Sequence, residues 1–420
     1  MALLIALATG RAMGRALSPA ARFVLGYSAA IFYVVVLALV HPSKTLVDAL
    51  FHAHRLEWVH SGRYFFTQPM PDGVSFPYAI ALYVAASPFM AFTRDHVMLL
   101  RVVVTAVHVL AGLLLFTVLV RRNDDHLGGT LAVVFWSLVP HWYIVVGNAN
   151  LTNAFGQSVA TGAMLAAIAL LPDGRAWWAV LAVFALTLVA FLSHVSTFPL
   201  LAAAMIGVAV MFGWRGIPLR RAGAAMALIA VAAAATSVLA YYGHFTEVYR
   251  SLDRVTGRAA AARPAPPAPP QETPDGDMDP TLATTRGAPT PPRLVRLTTA
   301  LDVGRRALGI PLLLLAAAGA WRITTSRRRE PLGLALTGWG GAAVLFVAVS
   351  IVQPVEPRFY RYVVEFIGRV YYATWPAVVL LAGVGAAWAW RAGPLTRIAA
   401  LTVIAWAVVT GGLRWAAWFM

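Results

Sequence analysis

The sequence contains no cysteine, which excludes a disulfide framework and any thiolate-ligated metal site. Charge is scarce, at 12% of residues, and the acids number 17 against 33 basic residues. No glycine-rich phosphate loop followed by lysine occurs, which argues against a nucleotide-driven motor. No repeat with a period of about 20 to 50 residues is present either.

What fills the chain instead is apolar sequence. Hydrophobic residues make up 60% of it, and the mean hydropathy is +0.72. A water-soluble core cannot absorb that much apolar surface, whereas helices that cross a bilayer require it. The net charge of +16 would suggest nucleic acid in a soluble protein. Here the arginines gather at the ends of apolar runs, where they report membrane orientation, so no nucleic-acid partner follows.

Apolar runs over residues 22–41, 98–120, 127–146, 151–171, 177–193, 195–213, 221–242, 307–323, 332–353, 368–391 and 396–412 predict about eleven crossings, or twelve if 78–93 also crosses. The expected fold class is an all-α polytopic bundle. The 78–93 stretch is short and carries Pro88, so a short span, a re-entrant segment and an interfacial segment are all open. If it does not cross and the N-terminus is cytoplasmic, the basic loops at Arg121–Arg122, Arg175, 215–221, 322–329 and 391–397 all fall inside. Residues 1–9 resemble a signal-peptide core, but Arg11 and Arg15 follow it and a full span comes next, so they read as a cytoplasmic lead-in.

This reading divides the chain into an N-terminal transmembrane module (1–243) with a large first outer loop (42–77), an outer loop at 244–306, and C-terminal transmembrane helices (307–420). Residues 263–298, rich in Pro and Ala, have the composition of a flexible connector, and the chain from Arg250 to Arg306 could serve as a lid or a loose tether.

The first loop is unusually polar for so apolar a chain. On a helix starting near Ser43 or Thr45, Asp48, His52 and Arg55 fall at i, i+4 and i+7, on one face. Together they could supply a base, a second acid-base group or metal ligand, and a phosphate clamp. The competing reading is an interfacial helix in which Asp48 pairs with Arg55 while Leu46, Val47 and Leu50 face lipid. His54, Glu57 and His60 lie on other faces and read as solvated. Near the start of a late span stand Glu356, Arg358, Arg361, Glu365 and Arg369, suited to phosphate oxygens or, alternatively, to snorkelling towards headgroups. Asn148, Asn150 and Asn153 sit at a span end, as do Tyr241, Tyr242 and His244, while Ser193 and His194 interrupt an apolar hairpin. A histidine at a membrane boundary is expected to face an interior partner. Arg101 is the chief charge within a predicted span.

This layout resembles the C superfamily of membrane glycosyltransferases, the GT-C fold, which includes protein O-mannosyltransferases and aminoarabinose lipid A transferases. The features that carry the resemblance are Asp48 in the first loop, then Leu56, Val59 and Gly62, then Phe76-Pro77-Tyr78 at the membrane entry. The late Arg369-Val-Tyr-Tyr-Ala-Thr-Trp-Pro376 segment, and Pro140 with the 148–153 turn, add to it. The resemblance implies inverting transfer of a sugar from a polyprenyl-phosphate donor to a glycan, lipid or protein acceptor, at the outer face of a bacterial cytoplasmic membrane. It makes Asp48 and His52 the catalytic candidates. Arg55, Asn150, His194, His244, Glu356, Arg358, Arg361 and Arg369 become the substrate-binding ones. Asp48 stands alone where an acidic pair is expected, so a divalent cation (Mg or Mn) on Asp48 and His52 stays open. A transporter or lipid flippase and a noncatalytic envelope-assembly subunit are the alternatives; against transport, few charges lie within the predicted spans and the two halves show no repeat.

Overall fold

The computed structural model describes residues 17–41, 47–69, 75–138, 142, 145–146, 150–174, 177–248, 293–325, 330–352 and 357–419. The chain is an integral membrane protein built as a helical bundle. Its first helix, α1 (Pro19–Val40), is started by Ser18, whose hydroxyl accepts from the Ala21 N–H at 3.2 Å, with Pro19 at the first helical position. A shorter polar helix, α2 (Val47–His60), follows, and then a two-stranded antiparallel ribbon, β1 (Thr67–Pro69) with β2 (Ser75–Pro77). The ribbon was not foreseen; its three-residue strands are too short to show an alternating pattern.

The 78–93 stretch forms α3 (Ala81–Ala86) and a 3₁₀ turn, Ser87–Phe92. Six α and six 3₁₀ residues reach roughly 21 Å, against about 30 Å of hydrocarbon. Then come α4 (His96–Asn123), α5 (His126–Leu138), α6 (Leu151–Leu170), α7 (Trp177–Phe191), α8 (Thr197–Gly213) and α9 (Ile217–Ala240). The C-terminal set is α10 (Arg293–Leu308), α11 (Ile310–Thr324), α12 (Glu330–Val352), α13 (Pro357–Ala392) and α14 (Pro394–Phe419). Among the described residues seven helices are long and apolar enough to cross a membrane, or eight if the bent pair α10–α11 counts as one span. The predicted runs near 127–146, 177–193 and 195–213 carry the shorter apolar helices α5, α7 and α8. Of the stretch expected as a connector, 293–298 is helical, the first turns of α10, and 263–292 lies outside the described residues.

At the centre stands α6, with every residue from Leu151 to Ala169 buried. Glycines let its neighbours close up: a Cβ on Gly319 or Gly385 would collide with backbone of the facing helix, as would one on Gly128's partner Gly383. Side chains then mark two ends. At one, Arg121 and Arg122 bond Asp173 at 2.5 and 2.8 Å, and Arg391 reaches Asp125 at 2.9 Å. At the other, Arg101 donates to the Leu39 carbonyl at 2.6 Å, the Ala81 N–H to Leu192 O at 2.9 Å, and Tyr242 Oη to Phe191 O at 3.0 Å. Of the arginines expected on one side, Arg121, Arg122 and Arg391 share one end, and α2 lies towards the opposite one.

Candidate functional site

The polar cluster of that opposite end is built on α2. The helix is fastened at three points, and each uses a histidine. His52 Nδ1 lies 2.7 Å from Tyr83 Oη, His60 Nδ1 lies 3.1 Å from Ser87 Oγ, and Glu57 Oε1 meets His96 Nδ1 at 3.0 Å. The first of these is internal, since His52 is only 2% exposed, whereas His54, Glu57 and His60 are exposed as expected. Asp48 is exposed, one turn before His52, and desolvation by its surroundings holds its carboxyl above the ordinary carboxylate value. The spacing does place Asp48, His52 and Arg55 along one side of α2. That side runs from solvent at Asp48 to the interior at His52.

Arg55 does not pair with Asp48, contrary to the interfacial-helix alternative. Its guanidinium carbon sits 3.9 Å from the ring centroid of Trp58, 4.7 Å from Phe51 and 5.0 Å from Phe66. Its buried Nε has no hydrogen-bond partner. Desolvation lowers its pKa from the usual guanidinium value. A cation held by rings and short of acceptors is ready for an anion. Phe51 and Trp58 come from α2 itself, and the ribbon adds Phe66: Tyr78 N–H donates to Phe66 O at 3.1 Å, and the two rings stack with centroids 6.3 Å apart.

Tyr78 joins this cluster to the rest of the bundle. Its hydroxyl is 3.3 Å from Thr152 Oγ1 on α6, and its carbonyl accepts from Tyr241 Oη. Asn150, at the start of α6, donates its backbone N–H to Val145 O at 3.0 Å, and its side chain makes no capping bond. His194 makes a local contact, Nδ1 to Ser196 Oγ at 2.8 Å, in the turn between α7 and α8. His244 stacks on Phe65 at 4.3 Å between centroids. Of the late cluster, Glu356 lies outside the described residues. Arg358, Arg361 and Arg369 fall on α13, with their side chains outside the described set.

Tyr83, Trp58, Phe51 and Phe66 were missed from the sequence, because each reads as part of an aromatic belt. His108 was missed too: it is buried in α4 and stacked between Trp136 and Trp142 at 4.6 and 4.0 Å. For a divalent cation, the described residues contain no group of three or more His, Asp or Glu side chains placed to hold one. Asp48 and His52 would offer two donors, with His52 Nδ1 already engaged by Tyr83.

No protein-family model matches the chain, and no curated protein matches it. The structure is similar to that of the oligosaccharyltransferase of Archaeoglobus fulgidus, crystallised with a tethered acceptor peptide containing an NVT sequon. The TM-score is 0.51 at 13% identity, over 94% of this chain and 55% of that one. This chain therefore spans about half the length of the protein it matches. At that identity the likeness is one of fold, and the expected GT-C architecture is the one found.

Proposed function

We propose that this chain is a membrane glycosyltransferase that moves a sugar from a polyprenyl-phosphate donor to an acceptor hydroxyl or amide at the outer membrane face. The observation that carries the reading is the α2 site. There an exposed carboxylate with a raised pKa lies two turns from a caged guanidinium without a carboxylate partner, within a bundle of GT-C fold. An acceptor oxygen or nitrogen attacks the anomeric carbon as the bond from that carbon to the phosphate oxygen breaks. The acceptor proton passes to Asp48, and the polyprenyl phosphate leaves with the electron pair. Configuration inverts in this single displacement. Arg55, with Arg358, Arg361 or Arg369 from α13, neutralises the phosphate charge that develops. The buried bond to Tyr83 makes His52 a positioning residue, which sets the rotation of α2 and so the direction of Asp48.

The test is polyprenyl-phosphate release from polyprenyl-phospho-sugar donors by membranes containing the wild type or Asp48→Asn at equal expression. Loss of at least about 100-fold in the variant supports Asp48 as the base. Equal turnover removes Asp48 from the mechanism. No turnover by the wild type with any donor turns the reading towards a transporter, flippase or noncatalytic subunit. Addition of EDTA to the same membranes decides whether Mg or Mn takes part.

A further inference from the structure

Beside the α2 site a second group of rings faces outward. Phe65 stacks nearly parallel on His244, with centroids 4.3 Å apart and planes 26° apart, and it also stacks on Tyr241 at 5.7 Å. Phe245 meets it edge-on at 6.2 Å, yet Phe65 remains 51% exposed. Tyr64 is 45% exposed and Trp58 37%.

This group is continuous with the candidate site. Trp58 carries the Arg55 guanidinium on its ring, Phe66 lies between Arg55 and Tyr78, and Tyr241 donates to the Tyr78 carbonyl. Phe65 lies in the non-helical stretch between α2 and β1 and packs against the end of α9. One feature separates it from an ordinary aromatic anchor: phenylalanine lacks the polar handle that puts Tyr and Trp at headgroup level. An exposed aromatic ring in the same cluster as that guanidinium matches a pyranose, whose axial C–H bonds present a weakly positive apolar face while its hydroxyls stay in water.

We propose that the exposed ring of Phe65, held by His244, Tyr241 and Phe245, is a carbohydrate-stacking subsite for the pyranose ring of donor or acceptor. This rests on the glycosyltransferase reading, and its test separates the two. Saturation-transfer NMR on the full chain in nanodiscs, with methyl α-mannopyranoside and methyl β-glucopyranoside as probes, reads contact without turnover. Ring C–H protons of at least one probe receive saturation from the wild type and lose it in Phe65→Leu, which keeps an apolar side chain but no ring. The same signal in Phe65→Leu, or none from the wild type with either probe, overturns the subsite whatever the enzyme assay gives. In the turnover assay Phe65→Leu raises KM about tenfold, the size of one lost stacking contact, with kcat changed less than about twofold, and Phe65→Trp restores it. A shift in donor KM assigns the ring to the donor sugar, and a shift in acceptor KM to the acceptor. A Phe65→Leu variant with wild-type KM for both is the lipid-anchor outcome and sinks the proposal. If the probes bind while no donor is turned over, the enzyme reading fails and the subsite stands.

Discussion

The imidazole Nδ1 of His52 stands 2.7 Å from the phenol oxygen of Tyr83, inside the protein, so the polar helix α2 is keyed to the short helix α3. Tyr83→Phe removes that partner and costs about 1 kcal/mol of stability, since His52 is buried where water cannot replace it. His52→Ala costs more, because a cavity adds to the lost bond. Thermal unfolding of the two variants and of the double variant checks the coupling. A double variant whose loss equals the sum of the singles would dissolve the link.

The raised pKa of Asp48 gives two pH effects. As a base it acts only when ionised, so the acid limb of the rate profile lies above the ordinary carboxylate value of about 3.9. For stability the sign is opposite. A carboxyl whose folded pKa exceeds its unfolded one contributes stability fully present below the unfolded value and lost as pH rises through the folded one. Asp48→Asn is therefore at least as stable as the wild type at neutral pH while being inactive. A limb at the ordinary value would show that Asp48 does not set it.

Arg55→Lys keeps the charge but loses the plane that lies over Trp58, and an ammonium holds its water more tightly. The expected result is a donor KM raised on the order of tenfold, with Arg55→Ala worse. Equal KM values for the wild type and Arg55→Lys would show that only charge at this position matters.

At the other end, Asp125 is 1% exposed and accepts from Arg391 at 2.9 Å and from the Gly128 N–H at 2.9 Å. Arg391→Ala removes a cation from a buried carboxylate and destabilises by about 1 to 3 kcal/mol, and the double variant with Asp125→Asn loses less than the sum of the two singles. Chemical denaturation in detergent measures both.

Much of the fold was legible because bilayer thickness imposes a length that composition alone satisfies. The runs at 22–41, 98–120 and 151–171 became α1, α4 and α6 for that reason. The spacing of Asp48, His52 and Arg55 was also readable, since helical periodicity is local. Their environments were not. The burial of His52 depends on Tyr83, and the cage on Arg55 depends on Phe66, which a ribbon of three-residue strands brings into place. The same limit hid His108, whose stacking partners come from two distant stretches of chain, Trp136 and Trp142 from one and Trp375 from the other.

The glycine contacts of α13 have a mechanical consequence. Gly383 lies against Gly128, Gly385 against Leu315, and Arg391 is tied to Asp125, so one end of this 36-residue helix is clamped. From Gly383 to Pro357 the helix runs about 40 Å at 1.5 Å per residue. A tilt of about 5° about that clamp carries the far tip, with the backbone of Arg358 and Arg361, some ~3 Å sideways. Between clamp and tip stand Pro376 and the bond from Trp339 Nε1 to Ala373 O at 3.1 Å, so the tilt is shared between the clamp and that bend. A bulkier residue at the glycine seam would therefore act at a distance, moving the backbone of Arg358 and Arg361, the arginines proposed to bind phosphate, without touching them.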